Sequence, residues 1–162
     1  MILVAGIGNI FLGDDGWGVE VVRRLAERSL PPEVQVRDFG IRGMDLAFAL
    51  MDPWDAVIMV DAAARDEPPG TVTLLQADTA AEDVAMDTHG WQPDKVIALA
   101  RGMGATPAPI YVVACEPETL LPEASEDVLA NLSPPASGAV DGAIAMVEEL
   151  VASLLTEGAV HA

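Results

Sequence analysis

The stretch MILVAGIGNIFLGDDGWGVEVVRRL, residues 1–25, decides the fold. Its apolar residues from Ile2 to Ala5 predict a buried strand, and a glycine-rich turn leads from this strand into an amphipathic helix that begins near Asp14. A strand, a glycine turn and a helix form the first half of a βαβ unit. In open α/β sheets such a turn lies at the carboxyl edge of the sheet, where ligands bind.

The first turn carries negative charge at the start of the predicted helix. Backbone N–H groups at such a position usually hold a phosphate, but here Asp14 and Asp15 occupy it and would repel a second anion. The spacing also departs from the dinucleotide-binding fingerprint, because Phe11 stands where the third glycine belongs. We therefore expect the turn to face a cation, although two acids at a helix start also suit the helix dipole without any ligand.

Length and composition predict one domain in a reducing compartment. The chain has 162 residues, 51% of them hydrophobic, and no apolar run reaches the length of a membrane span. We expect a single domain over residues 1–158, a short tail at 159–162 and no membrane partner. The N-terminus enters a strand without a secretory signal, and the single cysteine, Cys115, fits the cytoplasm.

The charge balance narrows the choice of partners. A net charge of −18, from 26 acidic and 8 basic residues, argues against nucleic acid, because phosphate binding needs clustered lysine and arginine. The same charge fits either a basic or metal-bearing partner or a simple role in solubility.

The rest of the chain alternates between predicted strands and helices. Apolar runs predict strands at 34–37, 56–60, 71–76 and 110–114, and periodic patterns predict helices at 14–29, 44–51, 93–101 and from Ser133-Pro134 onward. The loop before 71–76 has no room for a crossover helix, so this strand is expected to run antiparallel to the others. The pattern predicts an α/β fold with three layers.

Three acids follow the first three predicted strands. Asp15, Asp38 and Asp61 should all lie at the carboxyl edge of the sheet, and Asp61 closes the most strand-like run of the chain. His89 lies in a later loop, and carboxylates with an imidazole suit a borderline divalent transition metal. The alternatives are a helix cap for Asp15, a turn former for Asp61 and a surface imidazole for His89.

A serine or cysteine nucleophile is poorly supported. No serine lies in a Gly-x-Ser-x-Gly motif. Cys115 ends a hydrophobic strand and is interpreted as a packing residue, and Glu116 beside it would raise the pKa of the thiol.

Several short motifs, in this order and spacing, resemble the hydrogenase maturation proteases over nearly the whole chain. They are Gly6-Ile7-Gly8-Asn9 with Leu12-Gly13-Asp14-Asp15-Gly16, Asp38-Phe39-Gly40 with Arg42-Gly43-Met44, Val60-Asp61-Ala62, His89, Glu116-Pro117 and Leu132-Ser133-Pro134. Members of this family are endopeptidases that trim the C-terminal extension from the large subunit of a nickel–iron hydrogenase.

The resemblance implies a fold, a site and a substrate. The fold is a three-layer α/β/α domain with a five-stranded mixed sheet in which one strand is antiparallel. The residues that contact metal are, by position, Asp15, Asp61 and His89, and Asp38 is a further functional candidate. The metal is nickel already carried by the hydrogenase large-subunit precursor, so that cleavage tests whether nickel has been inserted. The resemblance also implies a monomer.

Two positions depart from the family pattern. The first-turn ligand is often glutamate where this chain has Asp15, and the histidine is often followed by glutamine where this chain has Gly90. Neither change removes a ligand. The stretches 116–127 and 62–70 are the expected docking surfaces for the precursor.

Two other functions remain open from the sequence. A nucleotide-binding oxidoreductase is suggested by Gly6 and Gly8 and by Asp38 after the second strand, but Phe11 and the acidic turn count against it. A nickel-binding chaperone or adaptor would use the same acids and histidine and leave a hydrogenase precursor uncut.

Overall fold

The computed structural model describes residues 1–77, 93–106, 108–118 and 131–161. The elements in chain order are β1 (Ile2–Ile7), a 3-10 turn (Asp14–Gly16), α1 (Trp17–Ala26), β2 (Val34–Gly40), α2 (Gly43–Ala49), β3 (Ala56–Ala62), β4 (Val72–Gln76), α3 (Pro93–Gly102), β5 (Ile110–Cys115), α4 (Pro134–Gly138) and α5 (Val140–His161).

The five strands form one mixed sheet in the order β2-β1-β3-β5-β4. Strands β1, β2, β3 and β5 are parallel, and β4 runs antiparallel to β5 at the edge. The predicted fold class and the antiparallel strand are therefore confirmed. The short loop from β3 leaves no room for a helix that would return the chain to the same end of the sheet.

Two hydrophobic cores lie on the two faces of the sheet. Val4 and Ile58 face the core that includes α1 and α5, whereas Leu3 and Met59 face the core that includes α2 and α3. A strand buried on both faces needs apolar residues at successive positions, which explains why β1 and β3 show no alternation in the sequence. Within the described residues, no helix has the length and apolar character needed to cross a membrane.

The first helix starts later than predicted, and the last one is interrupted. Asp14–Gly16 forms a 3-10 turn, and the α-helix begins only at Trp17. The last helix is two helices, because Ala139 N–H donates to Ala136 O three residues back and tightens the turn between them. Helix α5 then continues to His161, past Gly158, where the sequence pattern placed the end of the helix.

Strand β2 is three residues longer than predicted and contains an irregularity. Gly6 of β1 pairs with Asp38, but the next residue, Ile7, pairs with Gly40, so Phe39 is the extra residue of a bulge. A bulge re-aims the side chains around it. Phe39 is buried in the core on the α2 side, and the Asp38 side chain is exposed.

Candidate active site

The first glycine turn folds back onto Asp15. Asn9 N–H donates to Asp15 Oδ2 at 2.9 Å, and the Asn9 side chain accepts from Phe11 N–H. A Cβ at Gly8 would overlap the carbonyl oxygen of Asp15, and Gly8 has a φ of +139°, where residues with side chains are strained. The glycine is therefore required for the turn to hold Asp15 at this place.

Asp61 lies inside the end of β3 and is buried, with 5% of its surface exposed. Burial raises the pKa of its carboxyl well above the usual value, the negative charge of Asp15 raises it further, and a hydrogen bond from the backbone of Ala62 opposes the change. The structure therefore brings together two of the predicted site residues, Asp15 and Asp61.

Close contact between α1 and the sheet sets the position of the turn. Gly18, in the first turn of α1, lies against the carbonyl oxygens of Val60 and Ile7, and a Cβ at this position would overlap the Val60 oxygen. Trp17 is fully buried, and its Nε1–H donates to Ala136 O at 3.1 Å. Because these contacts fix the start of α1, the preceding 3-10 turn lies beside the end of β3, where Asp61 is found.

Asp14 has a role that the sequence did not indicate. It is buried and accepts three hydrogen bonds, from Glu118 N–H at 2.8 Å and from the N–H and the hydroxyl of Ser133, both at 2.7 Å. The sequence predicts this acid, together with Asp15, only as part of a turn that faces a cation or suits the helix dipole. No local pattern links residues 14 and 133, although Ser133 before two prolines is a recognisable helix N-cap.

Asp38, the further functional candidate, is exposed at the end of β2. Its carboxylate lies 4.0 Å from Arg23 Nε, and its backbone carbonyl accepts a hydrogen bond from Arg42. An exposed ion pair at this distance contributes little to stability. The loops that carry Asp38 and Asp15 are nevertheless neighbours, because Gly8 N–H donates to Gly40 O at 3.0 Å.

Cys115 and Glu116 are both buried at the end of β5. The pKa of the Cys115 thiol is raised to about 12 by burial, by the charge of Asp14 and by the charge of Glu116. A thiol with such a pKa is neutral at physiological pH, so the nucleophilic thiolate is scarce. The interpretation of Cys115 as a packing residue is confirmed.

His89 lies outside the described residues. In the parts of the chain that the structure describes, no group of three histidine, cysteine or acidic side chains is arranged to hold a metal ion. The described part of the site is thus a pair of carboxylates, one buried and one half-buried. Two like charges in a partly buried site favour binding of a proton or a cation, because either one relieves their repulsion.

Comparison with known proteins identifies the class to which this fold and acid pair belong. A family model described as hydrogenase maturation protease (HycI) matches residues 19–150. The hydrogenase expression/formation protein HupD of Rhodobacter capsulatus is 35% identical over 150 residues, which cover 89% of this chain and 68% of HupD.

Solved structures agree with this assignment. The hydrogenase maturating endopeptidase HybD from E. coli superposes with a TM-score of 0.72 and 28% identity, covering 97% of this chain and 93% of HybD. A hydrogenase 2 maturation peptidase from a Thaumarchaeota archaeon gives a TM-score of 0.71 and 30% identity, with 93% and 97% of the two chains covered. The chain belongs to the hydrogenase maturation protease family, and the protein is therefore a hydrolase of peptide bonds.

Family membership excludes one of the functions left open by the sequence. A nucleotide-binding oxidoreductase shares the strand–turn–helix beginning but not the family. Here the helix start is occupied by Asp14 and Asp15 and by the backbone turn folded onto them. The residues that suggested a dinucleotide, Gly6 and Gly8, instead permit close approach of α1 and of Asp15 to the strand end.

Proposed function

We propose that this protein removes the C-terminal extension of a nickel–iron hydrogenase large-subunit precursor after nickel has been inserted. We further propose that Asp15, Asp61 and His89 contact the nickel carried by that precursor. The observation that supports the nickel contact is the electrostatic opposition of Asp15 and Asp61 at the carboxyl edge of the sheet.

The acid pair provides a physical reason for recognising a metal. Asp61 lies in a buried position and faces another carboxylate, so its charged form is unfavourable in the free protein. A divalent ion brought by the precursor neutralises the negative charges of both carboxylates. Carboxylate oxygens together with an imidazole nitrogen suit nickel among other divalent ions.

Nickel then acts as a test of whether the precursor is ready for cleavage. A precursor that holds nickel gains the contacts to the carboxylates, whereas an empty precursor leaves them opposed and unneutralised. Cleavage follows only from the complex that gains this binding energy. Two routes to hydrolysis fit the pair: the substrate's nickel polarises the scissile carbonyl or activates a water, or one of the carboxylates acts as general base toward water.

The partner and the setting follow from the same proposal. The partner is the large-subunit precursor, which carries the nickel as part of the substrate. The protein works as a monomer in the cytoplasm. Asp38 contacts the extended precursor peptide in this proposal, which is supported by its nearness to Gly40, whose carbonyl oxygen accepts from Gly8 N–H of the first turn.

The test is cleavage of the precursor from the same organism, in nickel-loaded and nickel-free forms. The variants are Asp15→Asn, Asp61→Asn and His89→Ala, and Asp94→Asn on an exposed position of α3 is the matched control. We expect cleavage only of the loaded precursor, a loss of about 10²-fold or more in each site variant and no change in the control. Nickel-independent cleavage would contradict metal recognition, and tight nickel binding without cleavage would indicate a chaperone.

A further inference from the structure

Asp14 is a buried acid for which the proposed chemistry has no use. It is 2% exposed, and a buried carboxylate is costly unless hydrogen bonds satisfy its oxygens. Oδ1 accepts from Ser133 N–H, and Oδ2 accepts from Glu118 N–H and from the Ser133 hydroxyl. All three lengths, between 2.7 and 2.8 Å, are typical of hydrogen bonds to a charged acceptor.

These bonds join three separate parts of the chain at one carboxylate. Glu118 follows β5, Ser133 is the N-cap of α4, and Asp14 belongs to the 3-10 turn before α1. The Ser133 oxygen also accepts from Ala136 N–H at 3.4 Å, so the same hydroxyl caps α4 while it donates to Asp14. We call this set of hydrogen bonds the Asp14 clasp.

We propose that Asp14 is a positioning residue for Asp15, holding the 3-10 turn at the distance from β3 at which Asp15 opposes Asp61. This proposal rests on the proposed function of the acid pair.

The geometry favours this role over a general contribution to stability. Asp14 and Asp15 are adjacent in a turn of only three residues, so the turn cannot shift at one of them without moving the other. The turn holds itself together through Asp15 N–H to Leu12 O at 3.3 Å and Gly16 N–H to Gly13 O at 3.1 Å. Trp17, the residue after the turn, donates to Ala136 O of α4, and within the turn itself the Asp14 clasp makes the described hydrogen bonds to Glu118 and Ser133.

The decisive variant is Asp14→Asn, which keeps the shape of the side chain. An amide has one acceptor oxygen and one NH₂ group, and three donors face this position. Whichever way the amide lies, its NH₂ group meets the backbone N–H of Glu118 or that of Ser133. Asp14→Asn therefore breaks at least one hydrogen bond of the clasp while the volume of the side chain stays the same.

The first measurement is steady-state cleavage of the nickel-loaded precursor. We expect kcat to fall by about 10²-fold, the loss typical of a displacement near 1 Å in a site, with KM changed less than about threefold. Ser133→Ala, which removes one of the three donors, should lose less, and Ser133→Thr should restore the rate because it keeps the hydroxyl. Val151→Ala, a buried position of α5, controls for loss of stability alone.

The second measurement does not depend on cleavage. Hydrogen exchange of the Asn9 amide, which donates to Asp15, reports the position of Asp15 directly. Asp14→Asn should accelerate this exchange by about tenfold or more, the usual effect of losing one charged hydrogen bond, and leave the Val147 amide of α5 unchanged.

The outcomes separate this proposal from the function on which it rests. Unchanged Asn9 exchange in Asp14→Asn, or a kcat equal to that of Val151→Ala per folded molecule, would overturn the positioning role. A wild-type protein that cuts no precursor would overturn the proposed function, and the Asn9 amide would then decide the positioning role alone. Faster Asn9 exchange together with a selective fall in kcat establishes it.

Discussion

Burial, and after it the negative charge of Asp15 on the opposing turn, raises the pKa of the Asp61 carboxyl well above its usual value. The two carboxylates oppose each other because Gly18 lets α1 approach the ends of β1 and β3. The site is therefore a feature that the free protein maintains at a cost in stability, as is common where charged groups await a ligand.

Replacing Asp61 should stabilise the free protein at neutral pH. The pKa of Asp61 is higher in the folded chain than in the unfolded chain, where it is about 3.9, so the folded state binds the proton more tightly. The stability that comes from this protonation is fully present at low pH and is lost as pH rises through the folded pKa. Asp61→Asn has no carboxyl to titrate, so this loss of stability does not occur, and the amide oxygen can still accept from the Ala62 backbone.

We expect the urea midpoint of Asp61→Asn to exceed that of wild type at pH 7, with the difference shrinking as pH falls toward 4. Asp38→Asn, an exposed acid at the same edge, should differ from wild type by less than about 0.5 kcal/mol. A difference between Asp61→Asn and wild type that is constant across this pH range would contradict the raised pKa. The same variant should lose cleavage, so stability and activity should change in opposite directions.

Two glycine-to-alanine replacements should have effects of opposite sign. In Gly18→Ala the new methyl group overlaps the Val60 carbonyl oxygen, so α1 must move off the sheet at a cost of about 1–3 kcal/mol or more. In Gly142→Ala, near the start of α5, nothing lies within 4 Å of the new Cβ, and the better helix propensity should add about 0.5–1 kcal/mol. Thermal unfolding measures both. A stabilising Gly18→Ala would show that α1 does not press on β3.

Most of the fold could be predicted from the sequence because its signals are local. Apolar runs marked all five strands, and the short loop before β4 identified the antiparallel one. The 3-10 turn at Asp14 and the bulge at Phe39 could not be predicted, because they depend on how α1 and β1 approach their neighbours rather than on residue pattern.

The site divides in the same way. Strand ends predicted that Asp15 and Asp61 lie at one edge, and the structure shows that their charges interact. The pairing of Asp14 with Ser133 joins residues 119 positions apart, and no periodicity carries that information. The place of His89 relative to the two acids stays a prediction.

Cys115 should resist alkylation in the folded protein. Its thiol is buried and has a pKa of about 12, so at pH 8 the reactive thiolate is scarcer by about 10³-fold than in an exposed cysteine. Iodoacetamide labelling followed by mass spectrometry should be slow in buffer and fast in urea. Cys115→Ala should retain full cleavage and lose about 1 kcal/mol of stability. Loss of cleavage in a folded Cys115→Ala protein would instead indicate that the cysteine is a nucleophile.

Glu116 should limit the access of proteases to the loop between β3 and β4. Its carboxylate accepts from Arg65 N–H at 2.7 Å, and its backbone carbonyl accepts from Gly70 N–H at 2.8 Å, so one buried residue ties two points of this loop. The sequence predicts Glu116 to lie in the docking stretch 116–127, but the structure shows it buried beneath the loop.

Removing the side chain should therefore free the exposed Arg65 for protease attack. In Glu116→Ala we expect trypsin to cut after Arg65 about tenfold faster or more, since the opening reaction no longer breaks a hydrogen bond to a buried carboxylate. Glu118→Ala, two residues away with an exposed side chain, is the control and should be cut at the wild-type rate. Equal rates in Glu116→Ala and wild type would show that the loop is held by its backbone contacts alone. If trypsin cuts Glu116→Ala faster while cleavage of the precursor by this variant is unchanged, an ordered β3–β4 loop is not required for docking of the precursor.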